Sequence, residues 1–499
     1  MPLLIGDVFR SAALSTPKRT AVTLGNRSLS YGDLDQQANR CANALRGLGV
    51  RHGDRVVLWS DTSLEAVPLF AGLAKLGTTF APANARLGPA EAAEMIALAR
   101  PKLLVVDPEH AEAAEQVAKD VGVPLLRTGD ESASALPGRP LADLTGSASA
   151  DDVEAPNLVE RDPHVIFFTS GSTGRSKGVV LSHRVNFLRT HPGALLEPRG
   201  TTVCMYPLFH MGAWTLALQA WQARSHVVLL EAATAEQVGG AVETHRAERL
   251  NCIPAVWQRI LDEGSDRFDL SSLRVIDSGT SATPPELLAA ITDRLPDAIL
   301  RVFYGSTEAG SITLLEHDDV PRKPGSCGPP HSGVELRLSD AGEVCARSPV
   351  LFDGYFDNAE ATAEALVDGW YHTGDLGVLD DEGFLSIVGR ARDIIRTGGE
   401  SVSPSEVEAA LADHPALLDV AVVGVPDAKW GEMVCAIAVP RAGATVDLEA
   451  LQKHCESRLA RFKVPRRLEI LSEIPRTAAT NQVQRRLIIE RLATRTRQR

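Results

Sequence analysis

Residues 167–178 read Phe-Phe-Thr-Ser-Gly-Ser-Thr-Gly-Arg-Ser-Lys-Gly and follow directly on the apolar run His164-Val165-Ile166-Phe167-Phe168. A strand that empties into small hydroxyl and glycine residues and ends on a lysine suits a phosphate. Gly171 and Gly174 let the backbone approach an anion, Thr169, Ser170, Ser172 and Thr173 offer hydroxyl donors, and Lys177 adds a positive charge. The loop is not of the Walker type, because Ser176 stands where that pattern requires glycine. Read alone, the stretch is also compatible with a Gly/Ser surface turn.

Outward from this loop the pattern alternates. Asn39 to Leu48 reads as helix, Asp54 to Trp59 as strand, Ser63 to Leu76 as helix with one apolar face, and Leu103 to Val106 as a buried strand. Such alternation predicts an α/β fold whose large N-terminal domain, residues 1–390, layers mostly parallel sheets with helices. Residues 128–157, rich in Ala, Ser, Asp, Gly and Pro, read as a surface loop. Beyond Arg390 the character changes. Ser403-Pro404-Ser405-Glu406 has the form of a capping box opening a helix through Leu411, strands are expected at Val420 to Val425 and Val434 to Val439, and a helix near Asp447 to Leu459. Residues 391–499 thus form a small α+β domain of about 105 residues.

Composition narrows the function. The chain has 499 residues, 44% of them apolar, and a net charge of −13. That charge argues against nucleic acid as a partner. Arg485, Arg486, Arg491, Arg495, Arg497 and Arg499 near the end read as a solvated helix and frayed tail. Seven cysteines lack any C-x-x-C spacing, which points to reduced structural thiols. Met1 to Thr20 is interrupted by Asp7 and Arg10 and does not read as a secretory signal, and no apolar run is long enough for a membrane span. The expected compartment is the cytoplasm.

Three further blocks follow in order: Tyr304-Gly305-Ser306-Thr307-Glu308, Trp370-Tyr371-His372-Thr373-Gly374-Asp375, and Gly389-Arg390-Ala391-Arg392-Asp393. With the glycine-rich loop they resemble the adenylate-forming superfamily of acyl-CoA synthetases, luciferases and peptide-synthetase adenylation domains. The resemblance runs from Tyr31-Gly32-Asp33-Leu34 to Pro475-Arg476-Thr477. It implies ATP, or AMP carried as acyl-adenylate, together with Mg2+ and coenzyme A. Thr169 to Lys177 would wrap the β- and γ-phosphates, Thr307 would meet the α-phosphate, and Glu308 would ligate magnesium, which prefers hard oxygen donors. Tyr304 would stack on adenine, with Gly305 and Ser306 beside it. Asp375 would hold the ribose hydroxyls, with Arg390 nearby. His210, in Pro207-Leu208-Phe209-His210, would lie between the acyl pocket and the thiol tunnel.

For coenzyme A, the resemblance implies Gly398 and Gly399 along pantetheine and Trp430 near the thiol tunnel or in plain packing. Lys463, Arg466 and Arg467 would meet the CoA phosphates or form a basic surface turn. It also implies that the small domain is a mobile lid hinged at Arg392, with one orientation for adenylation and another for thioester formation. At Ser278-Gly279-Thr280-Ser281, relatives commonly carry Gly-Gly-Ala-Pro. Gly279, Thr280 and Ser281 would therefore form an altered wall between adenine and acyl group, with Ala255 and Trp214 lining the acyl pocket, suited to a bulky or alicyclic acid.

One block departs from the family. Its late lysine, expected in Thr-Gly-Lys-Val-Gln-Arg, is replaced in Thr480-Asn481-Gln482-Val483-Gln484-Arg485. In the family that lysine bridges the carboxylate and the α-phosphate during adenylation. Gln482 can donate a hydrogen bond but has no charge, and loss of one such donor costs roughly 10²–10³ in rate, about 3–4 kcal/mol. The leading expectation is an acyl-CoA ligase that uses acyl-adenylate and CoA and adenylates poorly, served by a separate adenylating enzyme. A complete ATP-dependent synthetase is the runner-up. A non-catalytic acyl-AMP binder is the third reading.

Overall fold

The computed structural model describes residues 2–129, 135–170, 176–196, 200–262, 267–397, 400–427, 430–456, 458–477 and 482–497. The chain divides into two units. The first comprises Met1–Pro324, His331–Val334 and Arg347–Tyr371, and the second comprises Gly325–Pro330, Glu335–Ala346 and His372–Arg499. Among the described residues no helix is long and apolar enough to cross a membrane.

Two eight-stranded sheets build the first unit. One runs in the order Gly310–Leu315, Ile299–Ser306, Val275–Gly279, Arg249–Asn251, Thr202–Cys204, Val227–Leu229, Thr20–Leu24, Arg27–Ser30. Its pairings are parallel except at the edges, which are antiparallel hairpins. The other runs Gly354–Tyr355, Ser176–Ser182, Pro163–Ser170, Thr79–Ala83, Arg55–Trp59, Leu103–Val106, Leu125–Arg127, Arg139–Pro140. It is parallel from Pro163–Ser170 onward and antiparallel at the Ser176–Ser182 end. The expected parallel α/β architecture is therefore present.

Helix Ala66–Leu76 is buried at every residue, as a helix apolar all round must be. It packs on helix Tyr31–Gly47 so closely that a Cβ on Gly72 would lie 2.5 Å from the Ala38 carbonyl oxygen. Lys75 is the one charge carried into this layer, and its ammonium is neutralised by Asp35 at 2.5 Å and accepted by Asn39 at 2.7 Å. Helix Tyr31–Gly47 starts well before Asn39, because Ser30 and Asp33 form a capping box there. The expected surface loop at 128–157 contains helix Leu141–Ser147. Its exit is fixed by Arg40 and Asn43, which donate to the carbonyls of Ala148, Ser149 and Asp151.

In the second unit, strand Gly431–Pro440 is buried on both faces. Val434, Ala436 and Ala438 join one core with Ile395, Val407, Leu411 and Leu451, while Cys435, Ile437 and Val439 join another with Val423, Ile474 and Ile488. Period-two alternation normally separates core from solvent; here each parity meets its own layer. Helix Pro404–Leu411 forms as expected, but Ser403 does not cap it: its hydroxyl donates to the Val388 carbonyl instead. The basic C-terminal segment is also more than a solvated tail. Helix Arg485–Arg497 covers the second core through Ile488 and Leu492, and Arg485 forms a fork with Glu408 at 2.6 and 2.7 Å.

All seven cysteines are free thiols. His164 and His183, both buried, lie 4.7 Å apart between ring centroids. Asn186 donates to His164 Nδ1 at 2.9 Å, and His183 Nδ1 accepts the Ile5 N–H at 3.2 Å. Burial drives both below the ordinary imidazole value, His183 from 6.5 to about 4. Both are thus neutral when folded, whereas the unfolded chain takes up protons below pH 6.5. Stability is full above that pH and falls as pH drops toward 4, by about 1.4 kcal/mol per pH unit for each histidine. Denaturation curves at about pH 7.5 and pH 5 should show this loss, and His183→Gln should lower the slope by one histidine's share, about 1.4 kcal/mol per pH unit.

Candidate functional site

In open α/β sheets, ligands gather at the carboxyl ends of the strands. Strands Thr202–Cys204, Arg249–Asn251, Val275–Gly279 and Ile299–Ser306 are adjacent and parallel. Their ends deliver Tyr206, Asn251, Gly279-Thr280-Ser281 and Tyr304 to Glu308 to one edge. The Tyr206 hydroxyl donates to Asn251 Oδ1 at 2.6 Å and also meets the Thr280 side chain. Burial lifts the Tyr206 phenol well above its ordinary value, so it stays a neutral donor. Thr280 adopts φ +67°, a left-handed conformation costly for a β-branched side chain. Ala255 follows this edge, half-buried in helix Pro254–Asp262.

Tyr304 and Ser306 are half-buried, and a bulge falls between Tyr304 and Gly305. At Gly305 a Cβ would lie 2.0 Å from the Gly310 carbonyl oxygen, so only glycine fits. Arg189 holds the next residues from behind. Its guanidinium donates to the carbonyls of Val350 at 2.8 Å, Thr307 at 2.8 Å and Glu308 at 2.6 Å. Burial lowers its pKa to about 10, leaving it charged at neutral pH. The buried Glu308 carboxylate accepts the Tyr355 hydroxyl at 3.0 Å, and the Lys177 ammonium sits 4.7 Å from the centre of the same tyrosine ring.

Thr169 and Lys177 face each other across the antiparallel pair that closes the second sheet. The side chain of Ser170, and all of Gly171, Ser172, Thr173 and Gly174, lie outside the described residues. His210 stands at the N-cap of helix Met211–Gln222 without capping it. Its buried Nε2 has no hydrogen-bond partner among the described residues. Burial, with a smaller contribution from Arg86, depresses its pKa to about 4, so the ring is neutral. Trp214 is placed in aromatic core: it stacks on Phe70 at 4.1 Å, and its indole donates to the Leu208 carbonyl at 2.5 Å.

In the second unit, Asp375 is buried and pairs with Arg390 at 2.9 Å across adjacent strands. The turn before Asp375 is held by Glu343, which accepts the Gly374 N–H at 2.8 Å and faces His372 Nδ1 at 2.9 Å. Glu343, Cys345 and His372 are close enough to share a metal ion. Each donor is already engaged within the fold, however, with Arg337 against the Cys345 sulfur. Arg392 is exposed in the short 3-10 turn Ala391–Asp393, 3.7 Å from Asp393. The Arg466 guanidinium stacks 4.0 Å over the Trp430 ring. Lys463 is instead paired with Glu406 at 2.5 Å. Gly398, Gly399 and Asn481 lie outside the described residues, whereas Gln482 is described and exposed.

The sequence profile of the AMP-binding enzyme matches residues 9–356, and that of the AMP-binding enzyme C-terminal domain matches residues 406–480. The chain belongs to the AMP-binding enzyme family. This AMP-binding enzyme is 33% identical over 485 residues to a feruloyl-CoA synthase of an Amycolatopsis species, covering 94% of this chain and 95% of that one. It is 32% identical to an indoleacetate–CoA ligase of Aromatoleum aromaticum, over 93% of each chain. Among solved structures, ATP-bound MatB from Rhodopseudomonas palustris superposes with a TM-score of 0.88 at 28% identity, covering 98% of this chain and 99% of the other. The anthranilate CoA ligase AuaEII in complex with anthranoyl-AMP gives 0.88 at 26% identity, over 99% of each. The adenylate-forming resemblance read from the motifs is thus established, in its acyl-CoA ligase branch.

Sequence reasoning missed Arg189, Tyr206 and Tyr355 in this AMP-binding enzyme. Nothing in helix His183–Leu196 marks Arg189, whose partners are backbone carbonyls 118 to 161 residues away. Lysine at position 189 keeps the charge but not the fork. Arg189→Lys should therefore destabilise the first unit by about 2–4 kcal/mol, as buried carbonyls lose donors. It should also weaken ATP binding by freeing Thr307 and Glu308. Thermal melting and calorimetry would check both.

Proposed function

We propose that this acid–thiol ligase converts an acyl-adenylate and coenzyme A to the acyl-CoA thioester readily, and forms the adenylate from acid and ATP poorly. The observation that carries this reading is Gln482 at the position of the family's late lysine. Its amide side chain is neutral, and its backbone is tied to Thr477: its carbonyl accepts the Thr477 N–H at 2.7 Å and its N–H donates to the Thr477 hydroxyl at 3.0 Å. The cations flanking it are committed elsewhere. Arg476 pairs with Asp419 at 2.8 Å, and Arg485 with Glu408 at 2.6 Å. Neither is spare to replace the lost charge.

The other parts fit substrate binding. Lys177 and the loop from Thr169 would hold the β- and γ-phosphates, Thr307 the α-phosphate, and Tyr304 the adenine, beside Gly279, Thr280 and Ser281. Asp375, with Arg390 fixing its carboxylate, would accept from the ribose hydroxyls. Glu308 fits Mg2+: it is a hard oxygen donor whose described side-chain partner is a neutral phenol, so its charge remains available. The ion would supply neutralisation of triphosphate charge. Neutral His210, with a free ring nitrogen, suits a place beside the acyl group and the incoming thiol. Gly398, Gly399, Trp430 and Arg466 would receive coenzyme A, while Lys463 would first have to leave Glu406.

For the acid, we infer a bulky ring-bearing carboxylate. Relatives are named for feruloyl and indoleacetate groups, and the Tyr206–Asn251–Thr280 cluster offers one polar spot on the pocket wall. We further propose that residues 391–499 turn as a lid about Arg392, since two half-reactions need different groups at one site. A complete ATP-dependent synthetase is the competing reading, favoured by the presence of Lys177, Glu308 and Asp375.

Isotope exchange between pyrophosphate and ATP separates the two. With a suitable acid it should be near background in the natural protein, while synthetic acyl-adenylate and CoA give thioester readily. Gln482→Lys, combined with Asn481→Gly to restore the family's turn, should raise exchange by roughly one to three decades. Robust exchange in the natural protein would establish a complete synthetase. Glu308→Ala should remove the magnesium dependence of ATP binding measured by calorimetry, and unchanged dependence would take Glu308 out of the site.

A further inference from the structure

Two charged groups from distant parts of the first unit meet at Tyr355. Its hydroxyl donates to Glu308 Oε1 at 3.0 Å, its ring lies under the Lys177 ammonium at 4.7 Å, and its backbone pairs with Val179 on the strand that carries Lys177. The tyrosine is itself fixed. Its N–H donates to Thr362 Oγ1 at 2.9 Å, the Phe356 N–H donates to the Gly178 carbonyl at 2.7 Å, and Phe352 packs edge-on against its ring at 4.8 Å. Phe352 in turn donates its N–H to the Glu308 carbonyl at 2.7 Å. The same short segment therefore grips both the lysine strand and the glutamate.

A lysine and a glutamate that touch the same tyrosine attract each other, and in a site of low dielectric that attraction is strong. If they closed into an ion pair, the lysine would be lost to phosphate and the carboxylate to metal. Among the described residues Lys177 has no ion pair, and the Glu308 carboxylate accepts only from the phenol. The tyrosine satisfies each charge separately: the ring face carries negative quadrupole toward the ammonium, and the hydroxyl at the ring edge carries a proton toward the carboxylate. Both contacts are weaker than a charge–charge pair, so both yield when phosphate or metal arrives.

We propose that Tyr355 is a positioning residue, a spacer that keeps Lys177 and Glu308 from neutralising each other and so holds one ready for triphosphate and the other for a divalent cation. This rests on the assignment of Lys177 to phosphate and Glu308 to magnesium given above. It adds a constraint absent from either assignment: the two charges must be kept apart.

The test is ATP binding by calorimetry, with and without Mg2+, on the full chain and on variants whose folding is checked by melting. Tyr355→Phe keeps the spacer and removes the hydroxyl. Magnesium-free ATP affinity should stay at the parent's value, and the gain on adding Mg2+ should fall about tenfold. Tyr355→Leu removes both contacts and lets the ion pair form, so magnesium-free affinity should fall about tenfold as well. In a Glu308→Gln background the same Tyr355→Leu change should cost nothing, because lysine then has no carboxylate to meet. A merely structural tyrosine would weaken binding equally in both backgrounds, and that result overturns the proposal. If Tyr355→Leu fails to fold, Tyr355→Phe decides: an undiminished magnesium gain overturns the proposal. Parent-like ATP affinity in Lys177→Met would instead defeat the underlying assignment of the lysine.

Discussion

The Arg189 guanidinium binds three backbone carbonyls that belong to two chain segments remote from its own helix. That fork fixes the line of Thr307 and Glu308 against the segment that begins at Val350, and everything proposed for the phosphate end of the site depends on it. An arginine is required because three carbonyls at different angles need a planar group with several donors. Among the described residues it has no ion-pair partner; the three oxygens solvate it, the fields of Glu308 and Asp353 favour its charge, and burial leaves it charged. The arrangement explains why Glu308 can be buried and still hold its carboxylate for a partner: its backbone is tied by Arg189 and its side chain rests on a neutral phenol.

A second constraint comes from sheet topology. Parallel strands deliver their carboxyl ends to one edge, so residues distant in sequence become neighbours without any long loop. Tyr206, Asn251, Thr280 and Tyr304 are brought together in this way. The left-handed backbone at Thr280 would suit glycine. A threonine there carries strain of about 1–3 kcal/mol, and its contact with the Tyr206 hydroxyl is the visible return.

Much of this was legible before any coordinates. The glycine-rich loop, the Tyr304 to Glu308 block and the Trp370 to Asp375 block each sit in short contiguous stretches, because turns and strand ends are local features whose chemistry is written in adjacent residues. Arg189, Tyr206 and Tyr355 were not legible, since their significance lies in partners more than forty residues away. The capping box expected at Ser403 shows the same limit: the local pattern was right for a cap, but a carbonyl on another strand competed for the hydroxyl. The helix inside 128–157 was hidden by loop-like composition, and is held by side chains of helix Tyr31–Gly47 that no local window contains.

The difference between the two half-reactions follows from where charge is needed. Adenylation brings a carboxylate against a phosphate, so two anions must approach, and a mobile cation between them lowers the barrier more than a neutral donor can. Thioester formation sets a thiol against a mixed anhydride that already exists, so no second anion has to be brought in. On the reading proposed above, Gln482 would be a loss to the first reaction and nearly silent in the second. The arginines beside Gln482 are no remedy, since each is held by a carboxylate within its own unit. Drawing Arg485 away would leave Glu408 unpaired, and half-buried, beside the core of that unit. A cation taken from Arg485 would thus come at the expense of the C-terminal packing.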